Sequence, residues 1–151
     1  MLARELATPI PVVDLDAELF RAARLLTEQQ LPGLIVTDDA GRPLGVLPGS
    51  QVLGSLLPRY VQEDPCLARV YDEKAADGLC GRLAGFRVRD VMPPKPAELP
   101  VVRGDATAVE IAAIMARMHC PLVAVIDGGS MVGAVTAACL LDRIVPAFSP
   151  A

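Results

Sequence analysis

The stretch that decides the fold is PLVAVIDGGSMVGAVTAACLL, residues 121–141. Its first part is an apolar run rich in β-branched residues, which is typical of a buried strand. Asp127-Gly128-Gly129 follows and has the composition of a tight turn. A second apolar run and then an alanine-rich segment predict another strand and the beginning of a helix. The stretch therefore predicts a β-hairpin that leads into a helix.

The same pattern occurs earlier, in PGLIVTDDAGRPLGVLPGSQVL, residues 32–53. The two copies align with an offset of 100 − 11 = 89 residues, and one residue drops out in the turn. Short lead-in segments at residues 3–6 and 88–91 also match. The matching positions include Pro11 and Pro100, Asp16 and Asp105, Pro32 and Pro121, Asp38 and Asp127, Gly45 and Gly133, and Pro58 and Pro146. Such agreement indicates an internal duplication.

Each copy has the predicted order strand, helix, strand, strand, helix. In the first copy, the first long helix is predicted over residues 17–30, with Asp16 as its N-cap. A unit of about 55 residues leaves much of its apolar surface exposed when it stands alone. Two copies are therefore predicted to pack sheet to sheet with pseudo-two-fold symmetry. The predicted fold class is α/β (α+β), with repeats at residues 1–58 and 88–147 and a helical insert at 59–87.

The composition is that of a globular protein and argues against several functional classes. Hydrophobic residues make up 52% of the 151 residues and charged residues 21%, which is sufficient for an apolar core. The net charge of −4 and the aromatic content of 3% argue against nucleic-acid binding, which needs basic surfaces and stacking rings. Glycine and proline interrupt the long uncharged runs, so no direct membrane insertion is expected. The N-terminus has no apolar signal region, which predicts a cytoplasmic protein.

The cysteines and the single histidine do not suggest a metal site or a catalytic site. Cys66, Cys80, Cys120 and Cys139 form no C-x-x-C pair and are predicted to be reduced thiols. His119 precedes Cys120, but adjacent residues do not supply the facing pair and orienting group that a Cys–His nucleophile needs. The sequence also contains no P-loop and no nucleophile elbow. We therefore predict no metal, no catalytic residue and no enzymatic activity.

Four segments carry a resemblance to a known family. They are VRDVM at 88–92, an Asp-Ala pair followed by an amphipathic helix at 105–118, PLVAVID at 121–127, and GAVT at 133–136. The chain resembles a tandem pair of cystathionine-β-synthase-type (CBS) domains, also called a Bateman module. The resemblance implies a non-catalytic module that senses an adenosine-containing ligand, such as AMP, ATP or S-adenosylmethionine, in clefts between the repeats. It also implies a homodimer that regulates a partner enzyme or transporter.

The sequence departs from the ligand-binding pattern of this family in both copies. The family pattern is glycine, two hydrophobic residues, serine or threonine, two further residues, and an aspartate that holds the ribose hydroxyls. The first copy has Pro48 and Gln51 at the last two defined positions, and the second copy has Thr136 and Cys139. A thiol is a poor acceptor for two hydroxyl groups. Each copy therefore keeps only part of the pattern that the resemblance implies.

Two incomplete ligand clefts are therefore predicted. The first-copy cleft contains Gly33, Leu34 and Gln51, and the second-copy cleft contains Leu122, Val123 and Thr136, with Cys139 at the aspartate position. Thr136 is equally consistent with a helix N-cap, and Gln51 with a solvated residue in a first helical turn. The alternative to ligand sensing is a ligand-independent dimeric interaction scaffold that acts through the insert at residues 59–87.

Overall fold

The computed structural model describes residues 1–70, 72, 74, 78–79, 81–93, 95 and 98–148, the last two without their side chains. Short helical turns of the 3₁₀ type occur at Pro65–Val70, Gly81–Gly85 and Val145–Phe148. The other elements are α1 (Ala3–Leu6), β1 (Val12–Asp14), α2 (Leu19–Gln29), β2 (Gly33–Thr37), β3 (Pro43–Pro48), α3 (Gly49–Leu56), α4 (Arg59–Glu63), α5 (Val88–Val91), β4 (Val101–Arg103), α6 (Ala108–Met118), β5 (Leu122–Asp127), β6 (Ser130–Thr136) and α7 (Ala137–Ile144). Both repeats have the predicted order, which confirms the mixed α/β class.

Each repeat forms its own three-stranded sheet with the same topology. In the first sheet β1 pairs in parallel with β2, and β2 pairs antiparallel with β3. The second sheet repeats this arrangement with β4, β5 and β6. The pairing shifts between Val36 and Thr37 in the first hairpin and between Val125 and Ile126 in the second. These positions are equivalent in the two copies, so the irregularity in the ladder is a further sign of the duplication.

The two hairpin turns reverse the chain between antiparallel strands with different residues. In the second repeat Gly128 and Gly129 have φ values of 62° and 82°, which glycine adopts without steric cost. Positive φ at two successive residues matches the twist of the flanking strands. The first connection, residues 38–42, is longer than the two-residue turn of the second repeat and has a single positive-φ glycine, Gly41. There the Asp38 carboxylate accepts two backbone N–H groups at 2.8 and 2.9 Å, so it holds the turn closed.

The central strands β2 and β5 are buried on both faces. Leu34 and Val36 pack on one face of β2 with the residues of α2 and α3, while Ile35 faces the opposite sheet. Val123 and Val125 occupy the corresponding helix-covered face of β5. This alternation follows from the two-residue period of a strand. Strands of this kind carry no polar face, because neither side of the sheet is left to solvent.

The inner faces of the two sheets pack directly against each other. Ile10 and Leu99 precede the first strand of their repeats at equivalent positions, 99 − 10 = 89, and both contribute to this contact. The buried members are Ile35, Val46, Leu99, Leu122, Ala124 and Ala134, and the partly buried ones are Ile10, Cys120 and Met131. Several of these side chains are small, so the backbones of the two sheets can approach closely. The predicted sheet-to-sheet packing of the repeats is thus confirmed.

The lead-in helices are exchanged between the repeats. Ala3 and Leu6 of α1 are buried in the core of the second repeat, whereas Val88 and Val91 of α5 are buried in the core of the first. Each lead-in thus fills a gap in the other repeat's core. Each hydrophobic core therefore contains residues from both sequence repeats. The domain limits predicted from the sequence stay a prediction.

Backbone hydrogen bonds fix this exchange in the same way on both sides. The N–H of Ala3 donates to the carbonyl of Ala106 at 2.7 Å, and the N–H of Val88 donates to the carbonyl of Ala17 at 2.9 Å. The two acceptors are equivalent positions, since 106 − 17 = 89. The backbone groups at the start of each short helix are therefore satisfied by the other repeat rather than by the helix itself.

The prediction that Asp16 is the N-cap of α2 is wrong. The helix begins at Leu19, and its N-cap Glu18 makes no side-chain bond to the helix. Asp16 instead binds Arg89 of the exchanged helix α5, whose Nε donates to the carboxylate at 3.1 Å. This hydrogen bond and the charge of Asp16 raise the pKa of Arg89 above its ordinary value. The carboxylate is engaged by a residue far away in sequence, so a local reading of the helix start could not find its partner.

The insert is partly helical and is anchored to the first repeat. α4 opens it, and Val61 of α4 is buried. Leu83, near the other end, belongs to the core of the first repeat. The Gln62 side chain donates to two backbone carbonyls at the end of α3, at 2.7 and 3.0 Å, which satisfies groups that a helix end leaves without partners. The predicted helical positions 71, 73, 75–77 and 80 lie outside the described residues.

The exchange predicts that α1 stabilises the second repeat. Replacing Leu6 with alanine removes a side chain that is only 3% exposed, so we expect the free energy of unfolding to fall by about 2–4 kcal/mol. The matched control is Leu44→Ala, at a side chain that is 45% exposed, where we expect a change within about 0.5 kcal/mol. Urea denaturation measures both. Equal effects of the two substitutions would contradict the exchanged packing of α1.

Candidate functional site

Two cavities open between the repeats, at the end of the sheets where β2 and β5 begin. The larger cavity has a volume of about 530 Å³. One wall comes from the first repeat, at the start of β2 and along β3, and the other comes from the second repeat, at the end of α6 and the start of β5. The lining residues are Pro32, Gly33, Val46, Pro48, Glu98, Met118, His119, Cys120, Pro121 and Leu122. Each wall is contributed by a different copy of the duplicated unit.

The smaller cavity, of about 280 Å³, is the pseudo-symmetric counterpart of the larger one. Its lining residues are Gln30, Leu31, Pro32, Pro121, Thr136, Ala137 and Ala138. Gln30 and Leu31 correspond to His119 and Cys120 by the offset of 89, and Thr136 corresponds to Pro48 by the offset of 88 after the shorter turn. Each cavity therefore combines the strand end of one repeat with the helix end of the other.

The helix ends that contribute to these cavities have the same unusual backbone conformation. Gln30 and His119 have φ values of 50° and 49°, in the left-handed region, and each is the C-cap of a long helix. A proline follows two residues later in both repeats, at Pro32 and Pro121. This conformation turns the chain sharply from the helix into the next strand. It places the residues at 30–33 and 119–122 at the mouth of the two cavities.

Apolar groups dominate the larger cavity. Gly33 leaves room there, because a Cβ at this position would lie 2.7 Å from Cγ1 of Val46, far inside contact distance. The Cys120 thiol donates to the carbonyl of Leu122 at 3.2 Å, so its hydrogen is already engaged. Pro48 stands at the N-cap of α3 and makes no side-chain bond to the helix. The ionisable oxygen and nitrogen groups among its lining side chains are those of Glu98 and His119, both of which are exposed.

Thr136 caps a helix at the smaller cavity. Its Oγ1 accepts the backbone N–H of Cys139 at 3.1 Å, and it precedes the first residue of α7. The hydroxyl hydrogen remains able to donate to a further group, since only the oxygen is used by the cap. Cys139 is half-buried in the first turn of α7 and does not line the cavity. The N-cap interpretation of Thr136 is thus confirmed, and its contact with a ligand stays a prediction.

Gln51 lies away from both cavities. Its Nε2 donates to the carbonyl of Val91 in the exchanged helix α5, at 3.0 Å. It lines a separate groove of about 350 Å³ between α3, α4 and α5. The first-copy cleft is therefore not assembled as the sequence suggested. The amide of Gln51 holds a lead-in helix in place instead of facing the repeat interface.

The remaining predicted residues divide into two pairs. Gly33 and Leu122, which the sequence assigned to different clefts, both line the larger cavity. Leu34 and Val123 are fully buried beneath the helices of their own repeats and line neither cavity. Because β2 and β5 are apolar on both faces, the sequence pattern does not tell which side chains point toward the interface. We leave Leu34 and Val123 out of the candidate site.

Sequence reasoning missed the helix-end contribution to the larger cavity. Glu98, Met118, His119 and Cys120 were not among the predicted site residues, although His119 and Cys120 stand at the position equivalent to Gln30 and Leu31. The shared helix-end and proline spacing was a usable signal for these residues. Glu98 carried no such signal, because it lies in the proline-rich segment before β4 and reaches the cavity only through the tertiary fold.

Comparison with known protein families shows the family to which the chain belongs. The sequence profile of the CBS domain matches residues 3–57 and 88–146, which are the two repeats with their lead-ins. The chain belongs to the CBS domain family. The exchanged lead-in helices and the pair of three-stranded sheets are therefore the architecture of a tandem CBS pair in this protein. Comparison with curated protein sequences gives no significant match.

Solved structures of other CBS proteins are similar over nearly the whole chain. A CBS domain-containing protein of unknown function from Kribbella flavida is 52% identical, covers 96% of this chain and 99% of its own, and has a TM-score of 0.84. CBSX2 from Arabidopsis thaliana, a CBS-pair protein, is 21% identical, with a TM-score of 0.71 and coverage of 99% and 98%. A structure of CBSX2 in complex with AMP has the same identity, a TM-score of 0.66 and 98% coverage of both chains.

The described part of this CBS pair contains neither a membrane-spanning helix nor a metal-binding cluster. No helix there is long and apolar enough to cross a lipid bilayer. Within the same residues, no group of three or more His, Cys, Asp or Glu side chains could hold a metal ion. Cys66, Cys120 and Cys139 are free thiols, and Cys80 lies outside the description. The two cavities between the CBS repeats are therefore the candidate ligand sites of this protein.

The position of Gln51 predicts a role in stability. Gln51→Ala removes the hydrogen bond to the carbonyl of Val91 in a partly buried position, so we expect the free energy of unfolding to fall by about 1 kcal/mol. Gln29→Ala is the matched control, because Gln29 is an exposed helical glutamine without a side-chain hydrogen bond among those described. Chemical denaturation compares the two variants. A Gln51 variant as stable as the Gln29 variant would show that the bond contributes nothing.

Proposed function

We propose that this CBS pair is a non-catalytic regulatory module that binds an adenosine-containing ligand between its repeats and thereby modulates a partner enzyme or transporter. The observation that carries the proposal is the cavity of about 530 Å³ between the repeats. Small-molecule sites are typically concave, mostly apolar and about 300–1,000 Å³ in volume. The complex of CBSX2 with AMP, a protein of the same fold, supports the choice of ligand class.

The walls of the larger cavity suit an adenine ring better than a charged group. Val46, Met118 and Leu122 offer apolar and polarisable surface, and the two prolines at the mouth are rigid. The N–H of Cys120 already donates to the carbonyl of Met115, and Pro32 and Pro121 have no N–H. Backbone carbonyls at these turns are therefore the hydrogen-bond partners that we propose for the amino group of an adenine. We therefore propose that the site binds its ligand non-covalently and catalyses no reaction.

A ligand in this cavity would influence the relative position of the two repeats. It would contact the end of β3 in one repeat and the end of α6 in the other, so its binding free energy would favour one relative position of the repeats. A ligand that binds only the folded state also raises the stability of that state. A partner protein that contacts both repeats would then sense the presence of the ligand. This is the mechanism that we propose for regulation.

The partner and the oligomeric state are part of the same proposal. We propose a homodimer, because apolar side chains are exposed at equivalent positions of the two repeats, namely Leu53 with Leu141 and Phe20 with Val109. Exposed apolar positions that recur with the pseudo-symmetry of the chain suit a symmetric interface. The alternative function is a ligand-independent scaffold that acts through the insert, where Val70 is 81% exposed. That alternative predicts no heat of binding in the experiment that follows.

Isothermal titration calorimetry with AMP, ATP and S-adenosylmethionine tests the proposed function. We expect at least one of them to bind the full-length protein with one site per chain, because the larger cavity can hold one adenosine group. The same ligand should raise the midpoint of thermal unfolding, since it binds the folded state. Absence of heat and of any thermal shift with all three ligands at millimolar concentration would exclude the adenosine-sensing function.

A single substitution tests the departure at the family's aspartate position. Cys139→Asp places a carboxylate in the first turn of α7, where a negative charge is favourable for the helix. Cys139 follows Ala138, which lines the smaller cavity, so we expect the new carboxylate to reach the ribose hydroxyls of AMP in that cavity. AMP affinity should then increase about tenfold, because hydrogen bonds to a charged acceptor contribute about 1.5–3 kcal/mol. Cys139→Asn is the control of similar shape without the charge and should gain less. If AMP affinity stays unchanged in both variants, the smaller cavity lacks more than this carboxylate.

A further inference from the structure

No lysine or arginine side chain lines the larger cavity. The sequence has 14 lysine and arginine residues, all of them lie in the described part of the chain, and none lines this cavity. Its lining includes one carboxylate, Glu98, and one imidazole, His119. Within the described residues, no hydrogen bond or ion pair involves the Glu98 carboxylate. We propose that the larger cavity selects an adenosine-type ligand that carries a positive charge, or no charge, where a nucleotide carries its phosphate.

This inference rests on the proposed function and adds the charge of the ligand to it. Phosphate sites in proteins combine cationic side chains with hydrogen-bond donors, because the phosphate charge must be balanced. In the larger cavity Pro48 occupies the position that Thr136 occupies in the smaller one, and proline has neither a hydroxyl group nor an N–H. A phosphate there would lose a donor and would face the Glu98 carboxylate. A sulfonium or amino group would be attracted by the same carboxylate.

Basic residues near the cavity in sequence do not supply the missing charge. Lys95 and Arg117 each lie within three residues of a lining residue, but both are exposed and neither contributes to the walls. Several other arginines, on the repeats, on the lead-in helices and on the insert, are already paired with carboxylates away from this cavity. These pairs are Arg4 with Asp127, Arg24 with Glu28, Arg42 with Asp38, Arg59 with Glu63, Arg89 with Asp16, and Arg103 with Asp105. Glu98 is therefore the only carboxylate among the described residues that line the cavity, and no lysine or arginine there opposes it.

The smaller cavity differs from the larger one in the charged and hydrogen-bonding side chains that line it. Among the described residues, its lining contains the Thr136 hydroxyl at the beginning of α7 and no acidic side chain. The two pseudo-symmetric cavities therefore differ both in volume and in the charge that they favour. This asymmetry arises from two sequence differences between the repeats, Pro48 in place of Thr136 and Glu98 in the segment that leads into the second repeat. The selection is thus a property of this chain and does not follow from the duplication itself.

Binding of three probes tests the inference. We expect S-adenosylmethionine, which carries a sulfonium and an amino group, to bind more tightly than adenosine, and adenosine more tightly than AMP. Because Glu98 is exposed, one charge contact should change affinity only about fivefold at low salt, and less at high salt. Calorimetry at low ionic strength gives the affinities. The methyl signal of Met118, assigned with Met118→Leu, reports by NMR whether a ligand occupies the larger cavity.

Two variants isolate the role of the carboxylate. Glu98→Gln should remove most of the difference between S-adenosylmethionine and AMP, because the amide keeps the shape and loses the charge. Glu63→Gln changes the net charge equally, but Glu63 lies on α4 and lines neither cavity, so the difference should remain. An unchanged difference in Glu98→Gln would overturn the role of Glu98.

The other outcomes separate this inference from the proposed function. AMP that binds as tightly as S-adenosylmethionine and shifts the Met118 signal would overturn the charge selection and leave adenosine sensing intact. AMP that binds without shifting Met118 would support exclusion of phosphate from the larger cavity. Absence of binding by all three probes would overturn the proposed function and this inference together.

Discussion

The structure depends on the apolar contact between the inner faces of the two sheets. Each three-stranded sheet is covered by its own helices on one face only. Ile35 and Leu122 on the other face are fully buried because the second sheet covers them. Apolar burial of this kind is the main favourable term in folding. A single repeat would expose this surface, so the two copies form one unit, and both cavities are lined by residues of the two repeats.

The exchange of the lead-in helices adds a second constraint on the same pair of repeats. Val88 completes the core of the first repeat and Leu6 that of the second, so neither core is complete without chain from the other repeat. The Arg89–Asp16 ion pair and the Gln51 bond to Val91 connect the first repeat to its borrowed helix. Exposed ion pairs are weak, so the hydrophobic side chains of the lead-ins contribute most of this stabilisation. The packing between the sheets and the exchange of the lead-in helices therefore both hold the repeats together.

Local sequence patterns were sufficient for the strands, the hairpins and the duplication, because each depends on residues that are close in sequence. They failed where a distant residue competes for the same group, as at Asp16, which binds Arg89 instead of capping α2. They also failed at Leu34, because a strand that is apolar on both faces does not reveal which face borders the interface. The position of the cavities at the strand ends was predictable from Gly33. The opposite wall belongs to the other repeat and required the tertiary structure.

The central claim is that a ligand binds between the repeats, in the cavity that both of them form. A crystal structure of the protein grown with S-adenosylmethionine tests this most directly. The account predicts density for the ligand between Gly33 and Cys120, in contact with residues of both repeats. Density confined to the separate groove beside Gln51, or a larger cavity that remains empty at saturating ligand, would contradict it.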